Sequence, residues 1–325
     1  MRSSAIDTSV QIVGRKPKVV NVASVSHLSP FRYPGGKTWF VPYIRKWLGS
    51  LTRRPRTFVE PFCGGAIVGL TVAAEGLADK VVLCELDEAV ASVWRAVTEG
   101  HAEELAQRIL NFEMSRDAAE ALLAEEPSDL IDQAFQTIVR NRVQRGGIMA
   151  PGASLVRNGE NGKGVSSRWY PDTLAKRLRY IHELRNRLEF VNGDGLTCFH
   201  RYASHRTAAV FVDPPYTAGG KKAGSRLYTH SVVDHQKLFA ISSKAQSAVL
   251  LTYDNADEVR ELATRYELQQ ELVPMKNTHH NVMKELVISN MGWCQDRAGE
   301  NALAQRLKNH KFEPMSQQDL FSSVA

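Results

Sequence analysis

The sequence predicts an α/β fold: a mostly parallel β-sheet covered by helices on both faces, with an inserted, mainly helical stretch. Three observations carry this. Short apolar runs bounded by turn residues alternate with amphipathic helical stretches. The alternation stops between about Gly100 and Arg187, where helical patterns continue without a convincing strand. The 325 residues, 43% of them hydrophobic, are enough to bury one large core with a smaller insert.

The strand candidates are 57–59, 80–84, 188–191, 208–212, 247–252 and 285–289. Between them lie helical patterns at 65–74, 88–99, 132–142, 171–188 and 234–245, and another begins near Thr38. Strands that alternate with helices point to a sheet buried on both faces. The boundaries that follow are an α/β part at 29–99 and 188–295 and an inserted module at 100–187. A basic arm at 1–28, expected to be disordered, and a polar tail at 296–325 complete the chain.

Composition narrows the class. The formal charge of +6 favours an anionic partner without requiring one. Between Arg140 and Arg187 there are eleven Lys/Arg against three Asp/Glu, a net of +8, so the excess is local. Cys63, Cys84, Cys198 and Cys294 are scattered without Cys-x-x-Cys spacing, which argues against a zinc site or disulfide framework and fits a reducing cytosol. No apolar run reaches membrane-spanning length, and no signal-peptide pattern opens the chain.

The segment from Thr57 to Ala66, with Glu60, Phe62 and Gly64 inside it, is a strand running into a glycine turn and a helix. That is either a tight turn or a cradle that lets backbone approach a ligand. The next strand ends in Glu85-Leu86-Asp87, an acidic tip suited to ribose hydroxyls or to capping the following helix. The turn lacks a full G-x-G-x-x-G, which disfavours nicotinamide or flavin. Upstream, Tyr33 and Lys37 flank a Pro-Gly-Gly bend able to hold a ligand carboxylate, or to serve as an ordinary loop.

The apolar run 208–212 ends in Asp213-Pro214-Pro215-Tyr216. Two prolines remove two donors and fix φ twice, so a rigid, extended backbone presents Asp213 at the strand's carboxyl end. An exocyclic amine such as adenine N6 is a poor nucleophile because its lone pair is delocalised. The Asp213 carboxylate and the Pro214 carbonyl would accept its two N–H groups and stabilise the developing positive charge. Tyr216 offers a ring on which an extruded base can stack.

The ordered set resembles the Dam-type class of DNA N6-adenine methyltransferases from about Ser29 to Met291. Its motifs are an aromatic-x-Gly-Gly-Lys lead-in, Glu-Pro-Phe-x-Gly-Gly, an acidic second-strand tip, an inserted recognition module and Asp-Pro-Pro-Tyr. The resemblance implies a Rossmann-like methyltransferase sheet, S-adenosylmethionine as methyl donor, no metal, double-stranded DNA as substrate and a base flipped for reaction. It places Tyr33 and Lys37 at the donor's methionine end and Glu60, Phe62 and Gly64 beneath it. Glu85 falls at the ribose and Asp194 at the adenine. Two departures stand out: Ala66 replaces a third glycine common in relatives, and Asp87 is positioned to share the role of Glu85.

Asn141-Arg142 and Gly146-Gly147 match the family's recognition module, so Arg140, Arg142, Arg145, Arg157, Lys163 and Arg168 are the DNA-binding candidates. Lys176, Arg177, Arg179, Arg185 and Arg187 fit a solvated helix face equally well. A basic loop at 217–229, closed by Tyr228 and His230, suits a lid. Adjacent His279 and His280 point apart on a strand and make a poor metal site. The same chemistry on RNA or cytosine N4, or a non-catalytic nucleic-acid-binding relative, are the alternatives. The expected setting is cytoplasmic, of prokaryotic or phage type, and a cognate restriction endonuclease is a partner the resemblance allows.

Overall fold

The computed structural model describes residues 25–33, 35–150, 152–157, 162–216, 230, 232–276 and 282–292. Seven strands form one sheet: β1 (Thr57–Glu60), β2 (Lys80–Glu85), β3 (Leu188–Asn192), β4 (Ala208–Val212), β5 (Ala248–Asp254), β6 (Gln269–Lys276) and β7 (Val282–Ser289). Their order is β3-β2-β1-β4-β5-β7-β6. The first five pair in parallel, and β7 runs antiparallel to both β5 and β6.

Side chains alternate across a strand, and here each face has its own core. Phe58, Val81, Leu83, Ala209, Phe211 and Leu250 share one with helices α1 (Val41–Ser50), α2 (Ile67–Ala74) and α3 (Glu88–Thr98). Val59, Val82, Val210, Val212, Val249 and Leu251 share the other with α8 (Gly195–Ala203), α9 (His235–Lys244) and α10 (Asp257–Arg265). Phe211 is fully buried and stacks on Phe40 at 5.7 Å. Burying such a side chain stabilises the fold by about 2 kcal/mol.

The expected insert is helical: α4 (Ala102–Asn111), α5 (Arg116–Ala124), α6 (Leu130–Val143) and α7 (Pro171–Glu183). Helix α3 starts where Asp87 accepts from the backbone N–H groups of Ala89 (2.9 Å) and Val90 (3.2 Å). It buries Val90, Val93, Trp94 and Val97, an i, i+3, i+4, i+7 stripe. Leu105, Ile109, Ala134, Ile138, Leu174 and Leu178 of the insert belong to the same core as Phe58 and Phe211. The insert therefore extends the α/β core on one face, with a continuous apolar interior.

Three boundaries differ from expectation. Val25 (0% exposed) and Leu28 (3%) are core residues, so the chain is anchored before residue 29. The helix expected over 171–188 stops at Glu183, because a tight turn at Arg185–Arg187 must bring the chain into β3 at Leu188. Strand β6 escaped detection because Pro274 breaks its pattern; as the edge strand it tolerates a proline that a central strand would not.

Candidate active site

The strand order reverses at β1, between β2 and β4. Open α/β sheets bind ligands outside the carboxyl ends of the strands at such a point. A cavity of about 600 Å³ lies there, within the range of small-molecule sites. Glu60 lines it from the end of β1, Glu85, Leu86 and Asp87 from β2, Asp194 from β3, and Asp213 and Pro215 from β4. Tyr33, Lys37, Phe62, Gly64 and His230 also reach its wall. The expected cofactor residues thus converge on one cavity.

Their local roles are more specific than the sequence indicates. Gly64 has φ of +45°, and a Cβ there would lie 2.5 Å from the Tyr33 ring, so the glycine turn makes room for Tyr33. Ala66 has φ of 51°, left-handed for a residue with a Cβ, at a cost on the order of 1 kcal/mol. Trp94 Nε1 donates to the Gly64 carbonyl at 3.0 Å, and the Gly64 N–H donates to Glu85 Oε2 at 2.9 Å. Glu85 Oε1 accepts from the N–H groups of Leu86 (2.8 Å) and Asp87 (2.9 Å). Burial pushes the Glu85 carboxyl up to about 7, against these hydrogen bonds. Asp87 is occupied as the cap of α3. Asp194 caps α8, accepting from Thr197 N–H (2.7 Å) and Oγ1 (2.8 Å).

The tip of β4 holds a compact polar cluster. Asp213 Oδ1 lies 2.9 Å from the Lys37 ammonium and accepts from the hydroxyls of Tyr216 and Thr252, each at 2.8 Å. Lys37 Nζ also donates to the Gly35 carbonyl (3.1 Å), lies 3.3 Å from Glu285 Oε1 and sits 5.1 Å from the centre of the Tyr216 ring. Lys37 is therefore at the tip of β4, bound to Asp213, where the sequence suggested a ligand carboxylate. The Tyr216 ring stacks on Tyr253 at 5.5 Å, so both its ring and its hydroxyl are engaged within the protein. Glu60, fully buried, accepts from Gly69 N–H at 2.7 Å. Burial first, and then the Asp213 charge, raise its carboxyl to about 8, against the pull of that hydrogen bond and of Lys37.

Thr252 and Glu285 were missed as site residues. Both end or begin apolar strand runs, and a polar residue at such a position is the available signal. Their partners lie 39 and 69 residues away along the chain.

The basic stretch divides. Arg145, Arg157 and Lys163 are exposed, and Arg140 and Arg168 half-buried. Arg142 is 6% exposed and donates through Nη2 to the Pro30 carbonyl. Desolvation and neighbouring Arg177 lower its guanidinium to about 9. A contact between Arg142 and a DNA phosphate, the expected role, would require it to leave the core. Arg177 donates to the Ser29 carbonyl (3.0 Å) and Arg187 to that of Ala73 (3.1 Å), while Arg179 pairs with Glu103 at 2.7 Å. Asn141 accepts from Arg32 N–H (2.9 Å) and donates to the carbonyls of Arg32 (3.1 Å) and Gly147 (2.9 Å). Gly147, at φ +71°, has no room for a Cβ beside the Arg32 carbonyl. Arg142, Arg177 and Asn141 thereby fasten the 29–33 strap that ends at Tyr33.

The 217–229 loop with Tyr228, and His279 and His280, lie outside the described residues. Among the described residues, no group of three or more His, Cys, Asp or Glu is placed to hold a metal, and no helix is long and apolar enough to cross a membrane.

The sheet and its cavity define an α/β protein with a ligand-sized cavity at the switch point of a mostly parallel sheet. A model of the D12 class of N6 adenine-specific DNA methyltransferases matches residues 33–277, and the chain belongs to that family. No curated protein matches it. Similar solved structures include a candidate RNA methyltransferase from Pyrococcus horikoshii (9% identity, TM-score 0.35, 80% of this chain and 84% of that one). A candidate class I S-adenosylmethionine-dependent methyltransferase from Listeria monocytogenes is also similar (8%, 0.35, 83% and 68%). So is a spermidine synthase from Thermotoga maritima (9%, 0.35, 95% and 71%). No argument rests on these structural likenesses.

Proposed function

We propose that the protein transfers a methyl group from S-adenosylmethionine to the exocyclic N6 of an adenine flipped out of duplex DNA. The observation that supports it best is Asp213: one carboxylate oxygen takes three donors, and the residue lines the cavity at the sheet's switch point. The other oxygen is then the one an incoming amine meets. A cavity of about 600 Å³ lined by Glu85, Asp194 and Asp213 supports room for the donor; in this reading Glu85 and Asp194 meet its adenosine and Asp213 faces its methyl group. S-adenosylmethionine, when bound, supplies an electrophilic methyl group.

The protein's own residues then do the rest. Asp213 and the Pro214 carbonyl accept the two N6 hydrogens, orienting the nitrogen lone pair and stabilising its developing positive charge. Lys37, Tyr216 and Thr252 lock the Asp213 rotamer, which secures a near-attack geometry. Arg140, Arg145, Arg157, Lys163 and Arg168 supply phosphate or base contacts on DNA from the 100–187 recognition module.

The test is to supply labelled S-adenosylmethionine with unmethylated duplex DNA or with RNA, digest, and identify the labelled nucleoside. Label in N6-methyl-2′-deoxyadenosine from DNA is expected. Label in methylcytidine, or on RNA alone, would overturn the proposal.

A further inference from the structure

We propose that Glu285 is a positioning acid: its carboxyl group carries a proton and donates it to the Tyr216 hydroxyl, which in turn donates to Asp213. The inference rests on the methyl transfer proposed above and on a count of hydrogens. The Tyr216 hydroxyl lies 2.8 Å from Asp213 Oδ1 and 2.6 Å from Glu285 Oε1. A phenol has one hydrogen and donates to one acceptor. The other contact needs a hydrogen of its own, or two electron-rich oxygens meet with nothing between them.

Asp213 is the poorer host for that hydrogen. Its Oδ1 already receives the Lys37 ammonium at 2.9 Å and the Thr252 hydroxyl at 2.8 Å, so a hydrogen placed there would point at other donors. Glu285 stands farther from the ammonium, at 3.3 Å, and is only 5% exposed between β5 and β6. The hydrogen therefore sits on Glu285. Charge balance agrees: Glu60, Asp213 and Glu285 cluster around the one ammonium of Lys37. One ion pair with two neutral acids avoids burying uncompensated charge. Burial raises the Glu285 carboxyl, with Lys37 opposing and Asp213 reinforcing the rise.

The other groups around Glu285 are few. Asp254 is its register partner on β5, and Val273 its partner on β6, with Glu271 two residues along. Lys284 precedes it on β7, and His235 reaches the same wall through the Tyr253 hydroxyl at 2.9 Å. The line from Glu285 through Tyr216 keeps Asp213 turned so that Oδ1 is saturated. When pH rises through the raised pKa of Glu285, that donation ends and a second negative charge faces Asp213. Transfer then slows, while cofactor binding is little affected.

The test compares wild type, Glu285→Gln and Glu285→Leu from neutral to alkaline pH. The glutamine amide N–H still donates to Tyr216, so its kcat at neutral pH should exceed that of the leucine variant by roughly tenfold or more. Its alkaline fall in kcat should be lost or displaced upward, with KM for S-adenosylmethionine little moved. Infrared difference spectra between neutral and alkaline pH, recorded without a methyl acceptor, should show loss of a protonated-carboxyl band in wild type that Glu285→Gln lacks. A glutamine variant that keeps the wild-type alkaline limb, or an infrared difference identical to wild type, would overturn the proposal, even if the leucine variant fails to fold. Wild type that shows a band missing from Glu285→Gln but transfers no methyl group would refute the proposed function and uphold the proton on Glu285, the Glu60 carboxyl being common to both proteins.

Discussion

Two regions of this molecule are rich in charge, and they use it in opposite ways. At the tip of β4, one ammonium and three carboxyl groups from four separate elements are drawn together out of water. In the 140–187 stretch, cations of one sign are spread along helices and loops, and several are spent on the protein's own carbonyls or on Glu103. Convergence of opposite charges in a buried cavity marks chemistry. A local excess of one sign marks a surface only after the arginines that serve the fold have been set aside.

Breaking the first region should cost most. Lys37→Met leaves the half-buried Asp213 without its ion-pair partner, which should destabilise by about 2 kcal/mol. Denaturant unfolding should show that loss, and transfer should fall by roughly 100-fold as Asp213 loses its orientation. A change confined to cofactor affinity would instead support the role first expected of Lys37, a partner for the donor's carboxylate.

The second region should split under mutation. Arg142→Ala removes a buried donor and should cost about 2 kcal/mol of stability in unfolding experiments. Arg145→Ala, at an exposed site, should leave stability within about 0.5 kcal/mol. It should weaken DNA binding and reduce the log–log salt slope by about 1. Equal effects of the two variants on DNA binding would erase the distinction drawn between them.

A smaller effect belongs to Glu60. Its folded-state carboxyl is raised from 4.5 to about 8, so it contributes stability at low pH that is lost as pH rises through about 8. The melting temperature should therefore decline as pH rises from about 4.5 to about 8 in wild type and level off above that, and decline less in Glu60→Gln, as followed by thermal melts across pH.

Much of this was legible in the sequence, for reasons that differ by element. Asp213 and its two prolines are contiguous, and a buried strand leads into them, so a local pattern sufficed. Glu85 and Asp194 follow strands whose apolar runs are equally plain. Thr252 and Glu285 arrive from other strands, and only the β4–β5 and β5–β7 registers bring them to Asp213. The burial of Arg142 against the Pro30 carbonyl was not legible, because composition counts a charge without saying what it touches. Strand β6 was hidden because an edge strand keeps a polar face and can carry Pro274. The D12 family match runs from Tyr33 to the end of β6 and so takes in both the legible strand tips and the hidden strand.

The most direct test of the central claim pairs wild type with Asp213→Ala, in one preparation each, measuring S-adenosylmethionine binding by calorimetry and single-turnover methyl transfer to duplex DNA. Binding within a few-fold of wild type, with transfer reduced by roughly 1,000-fold, is the expected result. Transfer at the wild-type rate by Asp213→Ala would contradict the account.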